Sequence, residues 1–426
     1  MLNLKLRIFM STSLVLRTIT SSLLIAGTCI GGGMLALPLA SAPGGFIPSV
    51  SLMAVVWFAM TATGLCLVEI GSWMKKEDIH FVTMASTILG KWGKWLVWVV
   101  FAFISYASLA AYAGGCGGYI AKGWSTLFGG EISKAHGVLL FVLLATPFLI
   151  GPRHILGKAN DTIFALMIIA YFVIISKGLP SIRMDYLLRE SWKDAPLAIP
   201  LLITAFSCQM IIPGLHAFLH NHKTALRSAV ILGMTIAFVV YALWQLVVFG
   251  SVPLTGEGGL SQAIALDEQA TYCLEQITHS AVIPVAASFF GLFALVTSFF
   301  GIGMGLYDFL SDGLHIPKKG RGLLYLSVLV LFPSVFFAIY CERIFLTALD
   351  MSGGFGDTIL NGMIPIAMLW VGSKTIAPKK LRLTLFHYAF LTVLFLLYLA
   401  AFAHETHLRI ISPESAFDNR ASGIEG

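Results

Sequence analysis

The sequence predicts an all-α polytopic membrane protein with about eleven crossings, arranged as two inverted halves. Three observations predict it. Of 426 residues, 58% are hydrophobic and only 11% charged, where a soluble domain carries about 25% charged residues. The chain divides into eleven apolar stretches near the roughly 20-residue length a crossing helix needs. Two of those stretches, the first and the sixth, carry helix-disrupting residues at their midpoints. The first runs Gly27-Thr28-Cys29-Ile30-Gly31-Gly32-Gly33 and then Pro38; the second runs Phe206-Ser207-Cys208-Gln209-Met210 and then Pro213-Gly214. Unwound backbone is tolerated at membrane depth only where protein or a water-filled cavity satisfies it. One such break in each half of a chain points to the substrate site of a secondary transporter.

The predicted spans are 18–42, 47–71, 95–120, 137–151, 160–179, 196–219, 225–250, 282–311, 322–341, 355–373 and 383–403. The segment from Arg343 to Gly354 reads equally as a loop, a re-entrant piece or the first half of a kinked tenth helix. The whole chain reads as one transmembrane domain. Residues 1–17 form a cytoplasmic N-terminus, 18–179 a first repeat, 196–373 a second, 383–403 an extra helix and 404–426 a polar tail. With five spans per half, the second half enters from the opposite side, so the repeat is inverted. The basic N-terminus, the apolar run and Ala40-Ser41-Ala42 resemble a cleaved leader, but the run is too long and further spans follow, so it reads as a retained first helix.

Basic residues set the orientation. With the N-terminus in the cytoplasm, eighteen of the 27 Lys and Arg residues fall on that side, among them Lys75, Lys76, Lys379, Lys380 and Arg382. The outer loop 251–281 has none, and an odd span count places the C-terminal tail outside. The net charge of +6 reports this loop bias, and no nucleic-acid partner is inferred from it. The six cysteines lack the spacing of a metal site or a disulfide staple. His216, His220 and His222 have no Cys or carboxylate companions and read as a solvated loop, so no metal is expected. No nucleotide-binding glycine loop occurs, which argues against an ATP-driven pump. No clustered catalytic set occurs either, so an enzyme is not expected. A signalling domain and a continuous polar helix face, which a sensor or a channel would need, are also missing.

The breaks carry the chemistry. The N-terminus of a half-helix concentrates positive potential, which suits a carboxylate, and freed carbonyls suit an ammonium group. Such a pair can hold a zwitterion without a charged side chain. Gly27 and Gly31 also form a small-xxx-small pair, which would serve close helix packing.

Gly27-Thr28-Cys29-Ile30-Gly31-Gly32-Gly33-Met34-Leu35-Ala36-Leu37-Pro38 resembles the opening signature of the bacterial hydroxy- and aromatic-amino-acid permeases, nearest to their tyrosine-specific and tryptophan members. Ala205-Phe206 with Ile212-Pro213-Gly214 is similar to that family's sixth helix, and Val296 to Gly301 through Gly305 to Leu310 to its eighth. The resemblance implies a leucine-transporter-type fold with a five-plus-five inverted repeat, broken helices 1 and 6 and an added eleventh helix. It also implies proton-coupled import of amino acids at the bacterial inner membrane. The sixth-helix break departs from the family's Phe-Gly-Phe-His-like run, which leaves the substrate and any histidine-based coupling open.

On this footing the residues assigned to substrate are Thr28, Ile30, Gly31, Gly32, Gly33, Tyr106, Phe206, Ser207, Cys208, Gln209 and Ala294. Gln209 could offer its amide to a ligand or cap the unwound backbone. Tyr106 and Tyr112 flank a small-residue run in the third helix, and each could line the site or simply pack. In the resembled fold, first-helix carbonyls near Ile25 and Gly27 join eighth-helix hydroxyls in a cation site, which here are Thr297 and Ser298. Those hydroxyls could instead bond back to their own helix. Glu69, Asp308 and Asp161 are ionisable groups near span ends; Glu69 and Asp308 are assigned to ion or proton coupling, against a structural role in ion pairs. The function expected is proton-coupled import of aromatic amino acids, tyrosine first, then tryptophan and phenylalanine. A serine/threonine permease and a Na⁺-coupled symporter are the alternatives. No cofactor is expected beyond the ion gradient, and no partners beyond the amino acid and the lipid bilayer.

Overall fold

The computed structural model describes residues 2–74, 80–151, 153–277, 282–341, 344–378 and 383–411. Lys75, Lys76, Arg343, Lys379, Lys380, Arg382 and the tail from 412 onward lie outside the described residues. Among the described residues no β-strand forms, and the one isolated bridge joins Gly45 to Glu190. The helices are α1 (Leu2–Cys29), α2 (Gly32–Ser41), α3 (Phe46–Trp73), α4 (Phe81–Phe128), α5 (Lys134–Ile150), α6 (Arg153–Gly178), α7 (Met184–Leu187), α8 (Ile199–Ala205), α9 (Ile212–Phe218), α10 (Lys223–Ser251), α11 (Leu260–Ala265), α12 (Ala270–Ile277), α13 (Val282–Leu314), α14 (Arg321–Tyr340), α15 (Ile344–Met351), α16 (Ile364–Thr375) and α17 (Leu385–Thr406).

Among the described residues, nine helical stretches are long and apolar enough to cross a bilayer, and the bent pair α1–α2 makes a tenth. The remaining expected crossing, 137–151, corresponds to α5, an apolar helix of 17 residues. That is about 26 Å of helix, short of a full hydrocarbon core. The outward shell is apolar, with Phe332, Leu143 and Leu396 more than half exposed, as expected where lipid tails are the solvent.

Residues 344–354, open in the sequence, begin the tenth span. α15 runs without interruption into a π-helical stretch, Ser352–Met363, and then into α16. The stretch is crowded by its neighbours. A Cβ on Gly353 would overlap the carbonyl of Pro200 on α8, and one on Gly356 would overlap Ile104 on α4. Glycine-rich backbone therefore packs directly on its neighbours.

The two broken spans run antiparallel. Beyond α2, Gly44 meets Ala195 at the start of the sixth span, a Cβ on Gly44 lying only 2.9 Å from Ala195 Cα. At the other end, the Arg17 guanidinium of α1 donates to the carbonyl of Phe218, where α9 finishes, at 3.1 Å. Antiparallel crossing of the first and sixth spans is what an inverted arrangement requires.

The breaks meet beside α10. The Tyr241 hydroxyl lies 2.5 Å from the carbonyl of Cys29, the last residue of α1, and 2.8 Å from that of Ala205, the last residue of α8. Its one hydrogen is shared between two carbonyls that have lost their helical partners. The Tyr241 ring packs edge-on against Phe206, centroids 5.2 Å apart. Tyr241→Phe keeps that packing and strips the donor. The expected cost is about 1–3 kcal/mol, read as a lower thermal unfolding temperature of the purified protein; an unchanged temperature would show that the shared hydroxyl is dispensable.

Candidate functional site

The first break falls at Ile30 and Gly31, between α1 and α2, whose axes differ by 55°. Gly31 is extended (φ −163°), a conformation open to any residue, so its glycine is explained by space. A Cβ on Gly31 would overlap the Ser298 hydroxyl, and one on Gly32 would come within 2.5 Å of the Tyr112 ring. The Gly32 N–H donates to Ser298 Oγ at 2.9 Å. A hydroxyl from α13 thus caps the start of α2 as an N-cap side chain would.

The second break is Phe206 to Cys208, between α8 and a 3₁₀ turn, Gln209–Ile211, that leads into α9. Pro213 sits in the first turn of α9, where its missing N–H costs nothing. Gln209 is fully buried and closes this break internally. Its Oε1 accepts from the Cys208 N–H at 2.9 Å, and its Nε2 donates to the Met60 carbonyl and Thr63 Oγ1 at 3.1 and 3.2 Å. Cys29 and Cys208 both pack toward Met234, whose sulfur lies 3.4 Å from that of Cys208.

Between the breaks lies a cavity of about 1310 Å³. Its inner end is lined by Gly27, Thr28 and Ile30 of the first span, Ser207 and Cys208 of the sixth, Tyr112, Thr297, Ser298 and Asp357. Trp98, Phe101, Phe164 and Phe309 add aromatic walls, Phe164 beside Gly27, and Asp161, Asp308, Lys94 and Lys318 stand around the mouth. The mouth opens where α4 and α6 begin and α13 ends, the same side as the beginning of α1. The other end is sealed. Arg189 donates to the Ala42 carbonyl, Lys134 pairs with Asp267 at 2.8 Å, Lys122 pairs with Glu275, and the Tyr119 and Thr271 hydroxyls meet at 2.6 Å.

The structure sorts the sequence-based assignments. Thr28, Ile30, Ser207, Cys208, Gly27, Thr297, Ser298 and Asp308 line the cavity; Gly31, Gly32 and Gly33 lie at its inner end without lining it. Tyr106 is turned away, its hydroxyl donating to the Leu329 carbonyl on α14 at 2.9 Å; Tyr112, on another face of α4, takes its place. Phe206 is buried against Tyr241, Gln209 is consumed by capping, and Ala294 is buried within α13 without reaching the cavity. Ile25 is buried against Gly233 of α10. Thr297 bonds back to the carbonyl of Phe293 at 2.9 Å. Glu69 is held away from the cavity by Lys223 and Arg227, each at 2.6 Å, and Asp308 pairs with Lys318 at 2.7 Å. Two further residues at the site are not among the sequence assignments. Tyr241 has no signal beyond being one more aromatic in an apolar span. Asp357 had a signal, an acidic residue inside the predicted span 355–373.

The glycines separate by the space around them. Gly32→Leu drives a side chain into Tyr112 and abolishes uptake. Gly33→Ala adds a methyl whose nearest neighbour is 3.7 Å away, and keeps uptake within about twofold, since ordinary van der Waals contact adds no strain. Radiolabel uptake by cells expressing each variant at matched levels checks this; equal uptake by the two would contradict the tight contact at Gly32.

Comparison with known proteins agrees with this geometry. Residues 16–404 match the tryptophan/tyrosine permease family. The tyrosine-specific transport system 1 of Haemophilus influenzae is 32% identical over 363 residues, covering 83% of this chain and 88% of that protein. The tryptophan-specific transport protein of the same organism is 25% identical, covering 84% and 88%. Among solved structures, the Eremococcus coleocola manganese transporter shares the fold, with a TM-score of 0.55 at 14% identity over 98% of this chain and 93% of that one. A multi-pass helical protein with twin broken spans and a cavity between them, this chain belongs to the tryptophan/tyrosine permease family, a family of transporters and not of enzymes.

Proposed function

We propose that this permease imports aromatic amino acids, tyrosine foremost, across the bacterial inner membrane by alternating access with proton symport. The observation that carries the reading is the cavity between the two breaks. A ligand at its inner end, beside Gly27, Thr28, Ile30, Ser207 and Cys208, would lie near the start of α2, where helix polarity favours a carboxylate, and near the carbonyl ends of α1 and α8, which favour an ammonium group. Trp98, Phe101, Phe164 and Phe309 supply apolar walls for an aromatic side chain. The relatives named for tyrosine and tryptophan support the same substrate class.

The bias of basic residues supports a cytoplasmic N-terminal side. The cavity then faces inward, and the sealed end faces outward. Alternating access exchanges these two conditions. The contacts of Arg189, Lys134 and Lys122 loosen to admit substrate from outside, while the wall formed by the first and sixth spans closes the cytoplasmic mouth. A membrane potential of 100 mV is worth about 2.3 kcal/mol per charge. One proton per substrate would therefore sustain roughly 50-fold accumulation.

Proteoliposomes containing the purified protein test both halves of the reading. Under an imposed inward proton gradient, labelled tyrosine, tryptophan and phenylalanine should accumulate and serine should not. Accumulation of serine alone would contradict the substrate class. Uptake driven by a Na⁺ gradient and indifferent to the proton gradient would contradict the coupling ion.

A further inference from the structure

Asp357 lies in the π-helical stretch of the tenth span, 1% exposed, and lines the cavity beside the second break. No cation pairs with it among the described residues. Its carboxylate is held by three neutral donors. Oδ1 accepts from Ser207 Oγ at 2.8 Å and from Asn361 Nδ2 at 2.6 Å, and Oδ2 accepts from Ser352 Oγ at 3.2 Å. Asn361 Nδ2 also reaches Ser207 Oγ at 2.6 Å. Ser207 is itself an unwound residue of the sixth span, so this cluster joins a buried acid directly to the broken helix.

An unpaired charge buried at membrane depth is costly and marks a functional group by default. π-Helical winding in a span, likewise, gathers at functional sites. Resting on the proton-symport reading, we infer that Asp357 is the group that carries the transported proton, and that Ser207 and Asn361 relay its protonation state to the break in the sixth span. The step is simple. Hydronium in the cavity gives one proton to the carboxylate, leaving a neutral carboxyl and a water, and the reverse step releases the proton on the other side.

The cluster is built to register that change. The ionised carboxylate only accepts, and three donors face it. The protonated form has an O–H that needs an acceptor of its own. Asn361 Oδ1 is buried with no partner. Turned end for end, that amide presents the acceptor to the carboxyl and withdraws its donor from Ser207. Protonation thus changes which hydrogen bonds hold the Ser207 side chain at the break.

Other titratable groups lie on several of the elements packed around the stretch. Tyr112 of α4 and Cys208 of the break line the same cavity, and Cys66 of α3 is buried outside its lining. Asp350 on α15 and Glu405 on α17 are both bound to Arg409, and Tyr398 packs on Gly362. α8 and α16 present no ionisable side chain to Asp357. Among these, Asp357 alone is an acid that lines the cavity without a cationic partner.

The test is Asp357→Asn in proteoliposomes, with labelled tyrosine. Tyrosine exchange, with tyrosine on both sides, should persist. Accumulation driven by a proton gradient should fall from tens-fold to about onefold, and the tyrosine-dependent proton flux seen with an internal pH dye should vanish. Accumulation at the wild-type level overturns the inference. So does loss of tyrosine binding to the folded variant, which would assign the carboxylate to the substrate ammonium. Should the Asn variant fail to fold, Asp357→Glu decides. It should keep accumulation with a displaced pH profile, and a profile superimposable on wild type overturns the inference. If the wild-type protein itself shows no proton-driven uptake, the symport reading fails, a result separate from either variant.

Discussion

A single hydroxyl, that of Tyr241, reaches the carbonyl ends of both half-helices, at Cys29 and at Ala205. In a bilayer every backbone polar group must find a partner within the protein, and each one left bare costs several kcal/mol. Breaking two helices at membrane depth is therefore possible only because other spans lend side chains to the loose ends. α10 supplies Tyr241, α13 supplies Ser298 for the Gly32 N–H, and the sixth span supplies Gln209 for its own break. The cavity is the consequence. Where partners come from neighbouring helices instead of the next turn, the chain leaves room at the centre for a small solute.

The same requirement separates what the sequence discloses from what it hides. Gly31-Gly32 is a local signal that places the first break within two residues of where α1 stops, and Pro213 is one that marks where α9 begins beyond the second break. The partners of the breaks are not local. Tyr241 lies 212 residues from Cys29 and 36 from Ala205, and nothing in its own neighbourhood distinguishes it from a packing aromatic. The two tyrosines of α4 show the limit in another form. Six residues at about 100° each put Tyr106 and Tyr112 on different faces, and only the packing of α4 against α14 and α13 decides which face meets the cavity. Gln209 illustrates a third case, where two chemically sensible roles stay open until Met60 and Thr63 are found beside it.

The predicted tenth span, 355–373, covers only part of the crossing, and the segment before it reads equally as a loop, a re-entrant piece or a first half-helix. Gly353, Gly354 and Gly356 let the backbone there press against Pro200, Glu405 and Ile104. Asp357 follows them and turns into the cavity. Close packing and an acid at the centre are thus linked. The acid is buried because the helix carrying it runs tight against α8 and α4, and it touches Ser207 because α8 ends one residue before that break begins. The cavity is open at one end, and ion pairs and loops tie the other.

A cryo-EM structure of the protein with tyrosine bound tests the account most directly. The account requires density for the amino acid between residues 27–32 and 206–209, with its carboxylate toward the start of α2 and its ring toward Phe101 and Phe309. Tyrosine seated elsewhere, or first and sixth spans that wind on as continuous helices, would contradict it.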